Sequence, residues 1–147
     1  MYYFLSSYCR RMEYYFKFLI TAAIFIISDL FWIVFNKSLY LNTIKEIQGS
    51  DVEIKSYIAI FITYTIMLLG LFGICIPYTY SSIQQYSSAN RYLVAFMSGA
   101  FYGLIINGIY NLTSYISYKK YSIYVAITDT LWATFLYGSI TTLYISL

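Results

Sequence analysis

The segment ISDLFW at residues 27–32 is repeated near the end of the chain as ITDTLW at residues 127–132. Both copies lie within long apolar stretches, and together they contain the two tryptophans of the chain. An aspartate at the centre of a bilayer-spanning helix costs about 2.5 to 3.5 kcal/mol on insertion scales. Because two such residues in matching apolar settings are unfavourable, Asp29 and Asp129 indicate a functional site inside a membrane.

The composition is that of an integral membrane protein. Of the 147 residues, 61% are hydrophobic and 10% are charged, with a mean hydropathy of +0.66. This balance is too apolar for a soluble domain of the same length. No linker rich in charge, proline or glycine divides the chain, so we expect one domain over residues 1–147. The net charge of +3 is modest and the basic residues stand at the ends of apolar segments, which argues against nucleic acid as a partner.

Four apolar segments of about 20 residues predict an all-α, polytopic membrane protein with four transmembrane helices in a lipid bilayer. The spans cover residues 16–36, 57–77, 92–112 and 123–146, after an N-terminal extension of residues 1–15. Four spans would place both termini on the same side of the membrane. Lysine and arginine are divided four against five between the two sides, so the positive-inside rule leaves the orientation open.

A short interfacial helix is predicted between the first two spans. Within residues 37–56, Leu41, Ile44 and Ile47 recur at helical spacing, with charged side chains between them. This pattern is typical of a helix that lies along the lipid headgroups.

Local signals mark the limits of the second span. Ser50 and Glu53 have the spacing of a capping box, which predicts a helix start before the apolar run. Pro77 predicts the end of the helix, and residues 78–91, rich in Ser, Tyr and Gln, are predicted to form an exposed loop. Tyrosines near the ends of the spans are interpreted as aromatic-belt anchors.

Three polar side chains are predicted to share one depth in the membrane. Asp29, Asn111 and Asp129 each lie eight or nine residues from a lysine at the same membrane face. At 1.5 Å per residue, each is about 12 to 14 Å from that face, close to the bilayer midplane. Thr63, Tyr64 and Thr65 of the second span reach the same level. We therefore expect a polar site where the helices meet.

Two spans carry stripes of small residues that predict close helix packing. On the third span the positions recur every four residues, at Gly99, Gly103, Asn107 and Asn111. On the fourth span the corresponding positions are Ala126, Thr130, Thr134, Gly138 and Thr142. Gly70 and Gly73 of the second span are interpreted in the same way. Because Asn107 shares a face with Asn111, it is included in the predicted polar site.

Two carboxylates in a medium of low dielectric need a positive partner, and three occupants remain open. These are a shared proton, a metal or alkali cation, and a cationic substrate. Asparagine and threonine oxygens suit a hard cation. Trp32 and Trp132, each one turn from an aspartate, are predicted as supporting residues whose ring faces suit an organic ammonium. The identity of any metal or cofactor is left open.

The chain lacks histidine and the common catalytic motifs, and Cys9 and Cys75 share no metal-ligand spacing. Three functions are left open. The first is a small transporter or channel-like protein that binds a proton or cation. The second is an enzyme or accessory factor that uses the carboxylates as acid and base on membrane lipid, and the third is a structural protein whose aspartates only join helices. Since four helices make a thin wall, a pore would imply a homo-oligomer.

Three ordered motifs resemble those of a family of small integral membrane proteins catalogued as domain of unknown function 2177. The family pattern is Asp-x-x-Trp in the first helix, Gly-Ala-x-x-Gly leading to Tyr-Asp-Leu-Thr-Asn in the third, and Asp-x-x-Trp-Gly in the fourth. This chain has DLFW at residues 29–32, GAFYG at residues 99–103, YNLTS at residues 110–114 and DTLWA at residues 129–133. The resemblance covers the chain from residue 16 onward and implies a four-helix membrane fold, without an activity.

The resemblance also brings Tyr110 and Thr113 into the predicted site as supporting residues, beside Thr63 from the second span. Two departures from the family pattern bear on the site. Asn111 stands where the family usually has an acid, and Ser114 stands where the family has asparagine. A proton-transfer scheme that needs three carboxylates is therefore not expected. A binding site that accepts amides remains compatible with the sequence.

Overall fold

The computed structural model describes residues 2–50, 52–85 and 90–147, with side chains from residue 13 onward. Within these ranges the regular secondary structure is helical, which confirms the all-α prediction. The helices are α1 (Tyr2–Phe35), α2 (Lys37–Gln48), α3 (Tyr57–Gly70), α4 (Ile76–Ile83), α5 (Arg91–Ser117) and α6 (Ile123–Ser146). Asp51, within the predicted start signal, and residues 86–89, within the predicted loop, lie outside the described residues.

Among the described residues, three segments are long and apolar enough to cross a membrane. They are Glu13–Phe35 of α1, Tyr57–Ile83 across α3 and α4, and Arg91–Ser117 of α5. These segments coincide with three of the predicted spans. The fourth predicted span corresponds to α6. This helix has 24 residues but is less apolar than the three candidate membrane spans. α6 carries Asp129 and several hydroxyl side chains, and it packs against the other helices from Val125 to Tyr144.

The second span begins later than the capping-box signal predicts. Ser56 is the N-cap of α3, and its side-chain hydroxyl accepts a hydrogen bond from the backbone N–H of Ala59 at 3.2 Å. Ser50 instead follows the end of α2, where Gly49 adopts a φ of 73° and turns the chain out of the helix. The start signal predicted at Ser50 and Glu53 is therefore wrong, because the residue directly before the apolar run is the one that caps it.

Pro77 does not end the second span. The residues Leu71–Cys75 form a π-helical turn, in which the backbone N–H of Ile76 donates to the carbonyl of Leu71. Proline has no N–H to donate and its ring crowds the carbonyl one turn earlier, and a wider turn before it accommodates both defects. The helix continues as α4 to Ile83. The loop predicted from residue 78 is therefore helical over its first six residues.

α5 and α6 pack antiparallel at very short range. A Cβ atom added to Gly103 would lie 2.5 Å from the carbonyl oxygen of Ala133, and one added to Gly99 would contact Tyr137 and Thr141. The contacts descend α6 as they ascend α5, which defines the antiparallel orientation. The absence of a side chain at these two glycines allows the backbones to approach.

Of the other glycines predicted for helix packing, two face a neighbouring helix and one does not. Gly138 of α6 faces the ring of Phe96, and Gly70 of α3 faces the hydroxyl of Tyr102. Gly73 has no atom within 4 Å of its Cβ position, so the packing role predicted for it is wrong. Gly73 is exposed at the surface of the π-helical turn.

α1 lies antiparallel to α6 and closes the core. The ring of Phe25 packs on that of Tyr137 with centroids 5.1 Å apart, and both side chains are buried. Leu71 and Ile140 complete the centre of this core. Farther along α1, Trp32 meets Trp132 of α6. The two copies of the repeated segment are therefore brought face to face.

Candidate functional site

The stacked indoles of Trp32 and Trp132 form the centre of the site. Their ring centroids are 4.7 Å apart and their planes differ by 6°. Each tryptophan follows its aspartate by three residues, which is about 4.5 Å at the helical rise of 1.5 Å per residue. Because α1 and α6 are antiparallel, Asp29 and Asp129 start from opposite sides of the stacked rings, with backbone positions about 9 Å apart along the bundle.

The single depth predicted for the two aspartates is therefore not observed. Counting residues from the lysines at the helix ends treats every span as starting at the same plane. The register of α1 against α6 is instead fixed by the contact of Phe25 with Tyr137 and of Trp32 with Trp132. Asp129 lies on the side of α2, and Asp29 lies deeper in the bundle.

Asp129 accepts hydrogen bonds at both carboxylate oxygens. The hydroxyl of Tyr40 donates to Oδ1 at 2.6 Å, and Nδ2 of Asn111 donates to Oδ2 at 2.8 Å. Trp32 donates its indole N–H to the Tyr40 hydroxyl at 2.9 Å. Because an indole nitrogen can only donate, the Tyr40 oxygen is an acceptor for Trp32 and its own proton is directed to Asp129. This chain of donors is the arrangement that stabilises an ionised carboxylate.

Asn111 connects Asp129 to the segment between α5 and α6. Its side chain is fully buried. The hydroxyl of Tyr121 donates to its Oδ1 at 2.8 Å, while its Nδ2 donates to Asp129 and, at 3.3 Å, to Thr130. Since Oδ1 faces the Tyr121 donor and Nδ2 faces the carboxylate, the two ends of the amide match their partners. An acid at this position would lose the donor that Asp129 receives from Asn111.

Asp29 has a related environment on the other side of the indole pair. The hydroxyl of Tyr64 on α3 donates to Oδ2 of Asp29 at 2.9 Å. The buried N–H of Trp132 lies close enough to interact with the same carboxylate, although it forms no hydrogen bond of standard geometry within the described part of the chain. Each aspartate therefore accepts from one tyrosine hydroxyl. Trp132 approaches Asp29 directly, whereas Trp32 is linked to Asp129 through Tyr40.

The hydrogen-bond donors described at the two carboxylates are all neutral groups. Two of the tyrosines in the network lie outside the candidate spans. Burial, and next the hydrogen bond to Asp129, raises the pKa of Tyr40. Burial, followed by the proximity of Tyr110 and Asp129, raises the pKa of Tyr121 to about 12. Both hydroxyls therefore remain protonated donors at neutral pH, and neither supplies a charge to balance an aspartate.

Several residues predicted for the site lie outside this network. Nδ2 of Asn107 contacts the Gly103 carbonyl of its own helix at 3.4 Å, and Thr63 donates to the Ala59 carbonyl of its own helix at 2.9 Å. Tyr110 is 64% exposed, because one residue of helix turns it about 100° from Asn111. Thr113 is exposed. Thr134, predicted for helix packing and not for the polar site, donates to the carbonyl of Thr130 within α6.

Tyr40 and Tyr121 are the site residues that the sequence patterns missed. Both lie near the ends of spans, where tyrosine was interpreted as a belt anchor. With 20 tyrosines in the chain, position alone gave no signal that these two face inward.

The site offers limited means of holding a metal. Among the residues described, no cluster of three or more His, Cys, Asp or Glu side chains is present. The parallel contact of the indoles leaves no room for an ammonium between Trp32 and Trp132. The chemistry that the arrangement can support is the binding of a small positive charge by two carboxylates with neutral donors.

The comparisons with known proteins identify a family and no characterised relative. A family model described as "Predicted membrane protein (DUF2177)" matches residues 14–145. This match confirms the resemblance to that family. The searches of curated proteins and of solved structures find no match to the chain.

Proposed function

The chain belongs to this family of predicted membrane proteins, and we propose that it crosses the membrane four times and binds a proton at the site of Asp29 and Asp129. The fourth span is α6, which packs antiparallel to α5 from Thr141 to Asp129. Its charged residue is hydrogen-bonded inside the bundle, which lowers the cost of burial in lipid. With four spans, both termini lie on the same side.

The observation that carries the proposal is the set of donors around Asp129. Both of its oxygens accept hydrogen bonds, from Tyr40 and Asn111, and the side-chain oxygen of Asn111 accepts from Tyr121. A metal cation would need these same oxygens as ligands and would have to displace their donors. A proton on the neighbouring carboxyl requires no such change. This favours Asp29 as the group that takes up and releases the proton.

A second ionised carboxylate close to Asp129 is unfavourable where only neutral donors surround the pair. Protonation of Asp29 relieves this repulsion while Tyr64 remains hydrogen-bonded to it. Exchange of that proton with either face of the membrane would make the protein a proton-binding transporter or channel. A monovalent cation at the same site is the second candidate for the charge.

The proposal is tested by proton flux in liposomes that contain a pH-sensitive dye. We expect the wild-type protein to dissipate an imposed pH gradient faster than empty liposomes do, and Asp29→Asn to reduce that rate to the level of empty liposomes. Tyr110→Phe is the matched control, since Tyr110 is exposed and outside the network. Its flux should equal that of the wild type. Gel filtration and circular dichroism check that each variant is folded.

Other outcomes would assign the site differently. A wild-type flux equal to that of empty liposomes over a range of pH and of sodium and potassium concentrations would overturn the proposal. A flux that follows the sodium or potassium gradient at constant pH would assign the site to that cation. If Asp29→Asn changes only the stability of the protein and the wild type carries no flux, the aspartates serve to join helices.

A further inference from the structure

Three buried polar atoms have no hydrogen-bond partner within the part of the chain that the structure describes. They are Nε1 of Trp132, the hydroxyl of Tyr137 and Oγ1 of Thr21. Tyr137 is 1% exposed and Thr21 is 0% exposed. A buried polar group left without a partner costs about 1 to 3 kcal/mol. In folded proteins such groups are commonly satisfied by ordered internal water.

Tyr137 and Thr21 lie farther from α2 than Asp29 does, whereas Trp132 lies level with Trp32, between the two aspartates. Trp132 approaches Asp29 itself, and the hydroxyl of Tyr137 is within electrostatic reach of the same aspartate. The ring of Phe25 packs on Tyr137. Thr21 is four residues before Phe25 and so lies one turn farther along the same face of α1. Tyr137 and Thr21 therefore lead from Asp29 away from α2, and Trp132 borders Asp29 on its α2 side.

Buried polar groups continue the same line beyond Tyr137. Thr141 follows Tyr137 by one turn of α6, and its Oγ1 lies 3.6 Å from Sγ of Cys75. The hydroxyl of Thr79 donates to the carbonyl of Cys75 at 2.8 Å. Cys75, Thr79 and Thr141 are all buried, with exposures of 2%, 0% and 0%. Farther on, the ring of Tyr144 packs edge-on against that of the exposed Tyr80.

On the α2 side, the network already reaches the membrane face. Asp129 is joined through Asn111 to Tyr121, which lies in the connection between α5 and α6. Polar groups therefore extend from that connection through both aspartates and on toward Tyr80. The line of polar groups is interrupted at Tyr137 and Thr21, whose hydroxyls have no hydrogen-bond partner in the described part of the chain.

We propose that internal water molecules bind at Trp132, Tyr137 and Thr21 and complete a proton path from Asp29 to the membrane face opposite α2. This inference rests on the proposed function. It identifies the route through the bundle and identifies the transported species as a proton. Hydroxyl groups and water both donate and accept, so they relay a proton. A metal cation would need a ring of carbonyl or carboxylate oxygens to replace its hydration shell, whereas the groups described along this line are mainly hydroxyls and a thiol.

The test removes single hydroxyl groups while conserving side-chain shape. We expect Tyr137→Phe and Thr21→Val each to lower proton flux in liposomes by roughly tenfold or more, because each removes one relay group. Thr65→Val is the matched control for threonine, since Thr65 is exposed and bonded to the Phe61 carbonyl of its own helix. Tyr110→Phe is the control for tyrosine. Both controls should retain the wild-type flux.

Failure of the path differs from failure of the proposed function. If Asp29→Asn abolishes flux while Tyr137→Phe and Thr21→Val retain it, the path is overturned and the proton site stands. If the wild type carries no flux, both the proton path and the proton site are overturned. Transfer of magnetisation from water to the Tyr137 and Thr21 hydroxyl protons, measured by NMR in micelles, tests the water sites without any flux. Transfer supports the sites, and its absence in the folded protein overturns them.

Discussion

The indole of Trp32 stacks on the indole of Trp132, with 4.7 Å between the ring centroids, and each ring belongs to one copy of the repeated segment. The contact brings the tryptophan of each copy toward the aspartate of the other copy. Trp32, in the copy that contains Asp29, acts through Tyr40 on Asp129. Trp132, in the copy that contains Asp129, approaches Asp29. The spacing Asp-x-x-Trp is therefore explained by antiparallel helices in which each tryptophan serves the aspartate of the other.

The first prediction concerns the energy of this stack. We expect a double-mutant cycle of Trp32→Leu and Trp132→Leu to give a coupling of about 0.5 to 1.5 kcal/mol in the free energy of unfolding. The measurement is denaturation by a harsh detergent in mixed micelles. The control cycle pairs Phe31→Leu with Leu131→Ala, which are both exposed and adjacent in sequence to the tryptophans. A coupling for the tryptophans no larger than that of the control would contradict the stack.

The second prediction concerns the hydroxyl of Tyr40. Tyr40→Phe removes the acceptor of the Trp32 N–H and one donor of Asp129 at the same time. We expect a loss of about 1 to 3 kcal/mol in the free energy of unfolding, as for other buried groups left without a partner. Tyr110→Phe, at an exposed position, should change it by less than about 0.5 kcal/mol. Equal effects of the two variants would show that the Tyr40 hydroxyl is not required.

The fold could be predicted wherever it depends on one segment at a time. A long apolar run is a property of its own residues, and three of the predicted spans coincide with segments that are apolar enough to cross a membrane. The passage of the helix through Pro77 could not be predicted, because it depends on a π-helical turn at Leu71–Cys75 that no single residue requires. The sequence likewise could not decide which serine caps α3, because both Ser50 and Ser56 precede the apolar run, and Ser56 is the N-cap.

The site could be predicted where a residue type is rare in its surroundings. Asp29, Asp129 and Asn111 stand out because polar groups are unfavourable in apolar spans. Tyr40 and Tyr121 do not stand out among 20 tyrosines, and their roles depend on which helix faces they meet. The relative depth of the aspartates also depends on packing, since the contact of Trp32 with Trp132 sets the register.

The third prediction concerns the contact of α5 with α6. In Gly103→Ala the new methyl group would lie 2.5 Å from the carbonyl oxygen of Ala133, so the helices must separate. We expect a loss of about 1 to 3 kcal/mol in the free energy of unfolding from overpacking. Gly73→Ala is the control, because no atom lies within 4 Å of its Cβ position. It should be neutral or stabilising by up to about 1 kcal/mol. Tolerance of Gly103→Ala equal to that of Gly73→Ala would contradict the close approach.

The fourth prediction concerns the stability of the protein at alkaline pH. Burial raises the pKa of Tyr121 from 10.0 to about 12, so the folded protein holds this proton more tightly than the unfolded chain does. Its contribution to stability is complete below the unfolded pKa of 10.0 and is lost as the pH rises toward about 12. Over that interval we expect the unfolding midpoint of the wild type to fall more steeply than that of Tyr121→Phe.

The control for this pH dependence is Tyr118→Phe, which removes a hydroxyl from a half-exposed tyrosine in the same connection between α5 and α6. This variant should retain the alkaline slope of the wild type. At neutral pH, Tyr121→Phe should be less stable than Tyr118→Phe, because Oδ1 of Asn111 loses its donor inside the bundle. If the alkaline slope of Tyr121→Phe matches that of the wild type, the Tyr121 hydroxyl does not hold its proton for Asn111, and the link from Asp129 to the membrane face is broken at this residue.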